Sequence, residues 1–386
     1  MSSSSTYILN WGPHHPSTHG VLRLILELDG EKVVSCTPDV GYLHRDIEKI
    51  VEKKKFLQII PFIDRLDYLA PSIQEHAYVM AIEKVLNIDV PIRSQYIRVI
   101  VDELTRISSH IMAIGSSTHD LGNISVLVYG FEEREKIMDI FEDITGARMH
   151  LNYYVPGGVW RDIEEKTLLK IKSFIKNIKD YINTIETLVF NSNIFILRTK
   201  DIGIITKDIA IQNGISGINI RASGINSDVR TTGYSVYNNI CFQSITLNEG
   251  DCYSRIRLRY LEIQQSIQLI ERCLDQIRPG PINEFIPISD SLKRGSIEKM
   301  LYAAFFSRGI ELPENTRIYA SAETPRGEFG IHLVTQKDKT KPYRLHFKSP
   351  SFAHIQMLGK ILNGCTIPEI NAILGSLDFI IGCCDR

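Results

Sequence analysis

Residues 97–114, Ile97-Arg98-Val99-Ile100-Val101-Asp102-Glu103-Leu104-Thr105-Arg106-Ile107-Ser108-Ser109-His110-Ile111-Met112-Ala113-Ile114, decide the fold. Ile97, Ile100, Leu104, Ile107, Ile111 and Ile114 recur at alternating three- and four-residue steps, the period of one continuous helical seam. On the polar side Arg98, Asp102 and Arg106 stand four apart with alternating charge, which supports the same helix. A second seam runs through Leu168, Ile171, Ile175, Ile178, Ile182 and Ile185. A third runs through Ile256, Tyr260, Ile263, Ile267, Ile270 and Leu274 and is stopped by Pro279-Gly280-Pro281. Four long helices are expected, at 92–117, 125–149, 161–190 and 254–277, and they pack as a bundle.

Outward from this centre the texture changes. Residues 5–40 read as short strands and turns, 44–55 and 70–88 as helices, and 200–253 as loops with small strands. After residue 281 a helix at 291–308 precedes strands at 316–322, 330–335 and 343–348 and a closing helical region. The expected fold class is α+β, mainly α: a central bundle, an N-terminal β-hairpin region and a mixed C-terminal part. The expected divisions are a β-rich region at 1–60, the bundle at 61–281 with its insertion at 200–253, and an α+β region at 282–386.

Composition narrows the function. With 44 Lys and Arg against 45 Asp and Glu the net charge is −1, which excludes an electrostatic grip on nucleic acid or a membrane surface. No stretch approaches the 18 or so apolar residues that span a bilayer, and Met1–Tyr7 has neither the apolar core of a secretory signal nor the basic helix of a transit peptide. The seven cysteines are spread without a C-x-x-C pair, which argues for a reducing compartment and against a disulfide framework or zinc ribbon. Adjacent Cys383-Cys384 is a poor candidate for a metal or redox pair, because neighbouring side chains seldom converge on one ion. There is no G-x-G-x-x-G or Walker-type loop, so the chain is not expected to hold a nicotinamide or nucleotide of its own.

The densest chemistry lies near the start: Asn10-Trp11-Gly12-Pro13-His14-His15-Pro16-Ser17-Thr18-His19-Gly20. Glycine and proline at this density forbid a helix and favour a stiff loop. Tyr7–Leu9 before it, and Leu22, Leu24, Leu26 and Leu28 alternating after it, make the loop the tip of a hairpin. The tip is either an exposed polar loop or a functional site, since imidazole titrates near neutrality, donates, accepts and binds metals. Eight of the eleven histidines fall in the first 150 residues, which favours a site shared by this loop and the first bundle helices.

Other candidates carry a bland reading beside the functional one. Asp120, after His119 at a helix end, either holds an imidazole in one tautomer or caps the next turn. Tyr68, in the charged run Asp64-Arg65-Leu66-Asp67-Tyr68, either donates a proton or packs in the core. Glu103 and His110, seven apart, are a buried polar pair or are solvated. Asp228, Arg230, Glu323, Arg326 and Glu328 read as structural ion pairs. The spacing H-H-x-x-x-H, broken by Pro16, does not suit a mononuclear zinc hydrolase.

Taken together these blocks resemble one family, the quinone-site subunit (subunit 7) of respiratory NADH:quinone oxidoreductase, complex I. The resemblance rests on Gly12–Gly20, Gly41-Tyr42-Leu43-His44-Arg45, Asp64–Tyr68, Val101–Arg106, Ile144–His150 and Pro156-Gly157-Gly158. It continues through Arg221–Gly224, Asp228-Val229-Arg230, Arg326-Gly327-Glu328, Pro342-Tyr343-Arg344, Pro350-Ser351-Phe352 and Asp385-Arg386. It implies a fold similar to the nickel–iron hydrogenase large subunit with its metal centre lost, in keeping with the missing cysteine pairs.

By matching position, the resemblance implies that His19 and Tyr68 hydrogen-bond and protonate the quinone headgroup and that Asp120 partners His19. His150 and Arg65 would lie near the terminal iron–sulfur cluster, of 4Fe-4S type, of a neighbouring subunit. The chain itself would bind no cofactor. It would be inactive alone, working with that iron–sulfur subunit, other peripheral-arm subunits and the membrane arm. Its implied place is the matrix side of the mitochondrial inner membrane, which the isoleucine-rich usage favours, or the cytoplasmic face of a bacterial plasma membrane. Two departures from the family pattern are Cys383-Cys384, where an acidic and an apolar residue are usual, and Asp46, where glycine is common. A true hydrogenase large subunit and a non-catalytic assembly scaffold are the rival readings. The missing C-x-x-C pairs oppose the first, and the joint presence of His19, Tyr68 and Asp120 opposes the second.

Overall fold

The computed structural model describes residues 6–14, 20–283 and 309–386. The expected helix at 291–308 and the tip of the histidine loop, His15–His19, lie outside these residues. Three strands open the chain: β1 (Tyr7–Trp11), β2 (Arg23–Asp29) and β3 (Lys32–Asp39) form an antiparallel sheet in that order. Alternation decides their faces, with Leu24, Leu26 and Leu28 fully buried and Arg23, Ile25 and Glu27 turned outward. Two short helices, α1 (Ile47–Val51) and α2 (Phe56–Ile63), lead into α3 (Pro71–Leu86). Helix α1 is shorter than the sequence suggests.

The bundle follows as expected. Helix α4 (Ile92–Asp120) has 29 residues, about 44 Å at 1.5 Å per residue. It packs against α5 (Ile124–Thr145) and, on the other side, against α10 (Cys252–Gln276), while α6 (Glu165–Ile185) lies against α5 and α10. The three seams read from the sequence meet in one core, which holds Ile97 to Ile114, Ile171 to Ile185 and Ile256 to Leu274 together. The last five residues expected in α6, Glu186–Phe190, form a π-helical turn. A small hairpin, β4 (Tyr154–Val155) with β5 (Gly158–Val159), joins α5 to α6.

The C-terminal part has the antiparallel strands β6 (Arg317–Thr324), β7 (Gly327–Val334) and β8 (Arg344–Lys348). The helices α11 (Pro350–Gln356), α12 (Leu358–Ile361), α13 (Ile367–Leu377) and α14 (Ile381–Asp385) follow. Strands β6–β8 share a core with α2 and α3, and α11–α14 share one with β2 and β3.

Residues 200–253 depart from expectation: no strand occurs there among the described residues. The segment instead holds α8 (Lys207–Gln212), α9 (Ile218–Arg221) and a 3-10 turn (Val229–Thr232), after α7 (Asn193–Thr199). Its polar residues act as caps rather than strand ends. The Thr206 side chain accepts the Ile209 N–H, and the Asp228 side chain accepts the Arg230 N–H.

A web of buried charge ties this segment to the bundle. From α9 the Arg221 guanidinium reaches Glu262 of α10 at 2.5 Å and Glu323 of β6 at 2.6 Å. From the 3-10 turn Arg230 pairs with Asp228 at 2.8 Å and with Glu103 of α4 at 3.4 Å. Glu103 also meets Arg106 at 3.3 Å and accepts hydrogen bonds from Tyr237 and Ser266, each at 2.6 Å. Glu103 and His110 are therefore both buried, but not as a pair: His110 contacts Glu262 at 2.9 Å. Burial alone would raise both carboxyls. Arg106 and Arg230 outweigh it at Glu103, and Arg221 with His110 outweighs it at Glu262, so both are held below the usual range. Removing one partner from such a web leaves an uncompensated buried charge, at about 3–5 kcal/mol.

Two outcomes follow from this packing. Gly217 (φ +72°) abuts Gly327, and a Cβ on it would lie 2.4 Å from the Gly327 Cα, whereas one on Gly214 (φ +64°) would meet nothing within 4 Å. Gly214→Ala should cost about 1–2 kcal/mol of backbone strain. Gly217→Ala should cost a further 1–3 kcal/mol or so for the forced displacement, read as the difference between the two melting curves. Burial pushes the His110 imidazole down from 6.5 to about 4, against the pull of Glu262. The unfolded chain then binds a proton that the folded chain refuses, so this stabilisation is complete above pH 6.5 and is lost as pH falls towards 4. His110→Gln should flatten the fall in thermal stability across that window, by roughly 3 kcal/mol at its acid end.

Candidate functional site

The turn after α2 sorts its side chains by charge and face. Asp64 and Asp67 point inward and are buried, while Arg65 and Tyr68 point outward, Tyr68 with 43% of its surface exposed. Asp67 needs a buried cation, and β6–β7 supplies one: Arg326 donates to Asp67 Oδ2 at 2.9 Å and to Asp378 Oδ1 at 3.3 Å. The Ser109 hydroxyl of α4 accepts from the same guanidinium at 3.2 Å. Asp378 stands at the end of α13 in a left-handed conformation (φ +52°), with Arg259 of α10 at 3.8 Å from its second oxygen. One guanidinium therefore fixes the Tyr68 turn to the C-terminal segment and to the bundle.

Tyr68 lies in the field of this group. Burial of its ring, opposed by Arg326 and assisted by Asp67 and Asp378, raises its phenol above the ordinary value. At neutral pH it is a protonated donor, half open to solvent, with an ion pair behind it. It stands at a narrow cleft that Thr105, Ser108, Met138 and Met149 also line.

The C-terminal segment 375–382 gathers the other candidates. A Cβ on Gly375 would lie 3.3 Å from Asp120 Oδ2, one on Gly382 2.9 Å from the Leu66 carbonyl, and Gly20, at the root of the histidine loop, would meet Ile381 at 3.3 Å. Asp120 is the last residue of α4, with its side chain 11% exposed and 3.9 Å from His119. The root of the loop, Asp120 and the Tyr68 turn thus converge on one short segment. His19 itself lies outside the described residues.

Arg65 and His150 lie beside Asp64. Arg65 donates to the Pro61 carbonyl at 2.5 Å, and its own carbonyl accepts from Arg45 at 3.2 Å. His150 is half-buried in a left-handed conformation (φ +56°), electrostatically coupled to Asp64. The sequence brings these residues forward and marks Arg326 as a structural ion pair, which it is, but gives no sign of its partners Asp67 and Asp378, 259 and 52 residues away. It also misses Glu75. The available signal is a Gln74-Glu75-His76 run inside α3, a helix buried on nearly every side.

Comparison with known proteins agrees with this architecture. The family described as respiratory-chain NADH dehydrogenase, 49 kDa subunit, matches residues 120–386. The chain is 41% identical over 390 residues to the D subunit of the NADH-quinone oxidoreductase of Rickettsia typhi, with 100% of both chains covered. It is 42% identical over 389 residues to the corresponding protein of Orientia tsutsugamushi, covering 99% of this chain and 98% of the relative. To that of Neisseria gonorrhoeae it is 39% identical over 413 residues, covering 98% of each. A mainly helical α+β chain, similar to these relatives over its whole length, belongs to the family of the 49 kDa subunit of respiratory-chain NADH dehydrogenase, the complex I oxidoreductase.

Proposed function

We propose that this subunit forms the quinone-reduction pocket of complex I, beside an iron–sulfur cluster carried by a partner subunit. The observation that carries the reading is Tyr68, a half-exposed phenol held protonated and backed by Asp67, Arg326 and Asp378. It stands where the C-terminal segment also gathers Asp120 and the root of the histidine loop.

Reducing a quinone to a quinol takes two electrons and two protons, one proton to each carbonyl oxygen. The cluster in the partner supplies the electrons. Tyr68 Oη donates a hydrogen bond, then its proton, to one carbonyl oxygen, and the His19 imidazole serves the other. Asp120 holds that imidazole in the donating tautomer and favours its return to the protonated form. A phenol of raised proton affinity is a poor permanent anion, so Tyr68 recovers its proton readily after each transfer. Arg65 and His150, beside Asp64 at the same turn, face the partner and adjust the field at its cluster.

The partner subunits, as for any component of complex I, include the rest of the assembly. Among the described residues no helix is long and apolar enough to cross a membrane, which supports a place in the peripheral arm. The isoleucine-rich usage supports the matrix side of a mitochondrial inner membrane, and the bacterial relatives support the cytoplasmic face of a plasma membrane.

In membranes carrying Tyr68→Phe, NADH oxidation with quinone as acceptor should fall about 10²-fold or more. Oxidation with an artificial acceptor that takes electrons upstream should be unchanged. An unchanged quinone rate removes Tyr68 from the headgroup and leaves an assembly scaffold as the better reading.

A further inference from the structure

Asp64, at the end of α2, and Glu75, in α3, are both fully buried. Asp64 Oδ2 accepts the Asn152 N–H at 3.2 Å. Glu75 Oε2 accepts the N–H groups of Tyr153 at 2.8 Å and Tyr154 at 2.9 Å. Three consecutive amides of the segment that carries His150 are thus clamped onto two carboxyls. The clamp opposes local strain, because His150 (φ +56°) and Asn152 (φ +44°) both hold the left-handed conformation that side chains other than glycine resist.

The remaining oxygens pose a problem. Asp64 Oδ1 and Glu75 Oε1 are buried and receive no hydrogen bond from a donor among the described residues. The two carboxyls lie within hydrogen-bonding reach of each other. Two carboxylates in contact away from water repel, and a single proton between them turns that repulsion into a strong O–H···O⁻ bond. Burial first, and then the Asp64 charge, raises Glu75 well above the ordinary carboxylate value. Burial raises Asp64 as well. The groups facing the pair are His150 and Arg65 on the Asp64 side and Tyr154 on the Glu75 side, with Asp102 and Arg98 beyond Tyr154. The cations favour loss of the proton and the Asp102 charge favours its retention.

We propose that Asp64 and Glu75 form a one-proton acid pair, a positioning element that holds the His150 segment in register with the Tyr68 turn. Its role in turnover rests on the quinone-site reading above; the shared proton rests on the burial and contacts of the two carboxyls. Loss of that proton leaves two adjacent anions that push α2 and α3 apart and slacken the clamp on residues 152–154. A group whose proton affinity is raised by folding gives stability that is complete below its unfolded value, 4.5 for Glu75, and declines as pH rises.

The test uses membranes carrying complex I with Glu75→Gln. The carboxamide oxygen still accepts from residues 153 and 154, and its N–H donates to Asp64, replacing the shared proton with a hydrogen that cannot titrate. The complex should assemble, with the artificial-acceptor rate unchanged and the quinone rate at neutral pH within about twofold of the parent. The decline of both the quinone rate and the thermal stability with rising pH should move to higher pH. Asp64→Asn should act in the same way from the other side, while Glu75→Ala, which loses the amide acceptor, should lower the quinone rate at every pH. A decline of stability with rising pH that is unmoved in Glu75→Gln overturns the proposal, as does failure of both carboxamide variants to assemble. If the stability curve moves but Tyr68→Phe leaves quinone turnover intact, the acid pair stands and the quinone-site reading fails.

Discussion

The rest of the structure depends on one guanidinium having no water to turn to. Arg326 is fully buried on β6–β7 and spans two carboxylates from distant parts of the chain, Asp67 and Asp378. Neither carboxylate tolerates burial alone, and neither belongs to a regular element that would hold it there. Asp67 lies in a turn and Asp378 just past a helix end. The ion triad therefore decides where both segments lie, and with them Tyr68, the Gly375 that faces Asp120 and the Ile381 that meets the root of the histidine loop. The Arg221–Arg230 web does the same for residues 217–237, whose short helical turns and loops are held against the bundle because charged side chains from α4, α10 and β6 reach them. Such webs confer position more than stability.

This explains which parts of the molecule are legible in the sequence. The seams of α4, α6 and α10 repeat at helical period, and the helices form close to their expected limits because period and burial agree. Alternation likewise assigns β2 its buried leucines. Residues 200–253 escape such a reading because their Gly, Ser, Asn and Thr content reports local turn chemistry, whereas their conformation is set by pairs such as Arg221–Glu323, 102 residues apart. Glu103 and His110 are buried as one of their two readings has it, yet each pairs elsewhere. Helix spacing says which face a residue shares but not what crosses to meet it.

The candidate site is legible as residues rather than as a place. Tyr68, Asp120, Arg65 and His150 stand out by motif resemblance, and the structure gathers the first two on the segment 375–382 while setting the last two beside Asp64. The residues that do the gathering, Asp67, Arg326 and Asp378, look in the sequence like ordinary structural charges. Their significance is a matter of burial, which one sequence does not display. A proton-handling site here is an exposed phenol resting on a buried frame of paired charges, and the frame is the larger part of it.

The most direct test of this account is Arg326→Lys in membrane-bound complex I. Lysine keeps the charge but lacks the fork that spans two carboxylates. The account predicts an assembled complex with its artificial-acceptor rate intact and a quinone rate lowered about tenfold or more, chiefly in kcat. The pH profile should also change as Asp67 or Asp378 loses its partner. Quinone turnover and a pH profile equal to those of the parent would contradict it, and would mean that Tyr68 does not depend on the triad behind it.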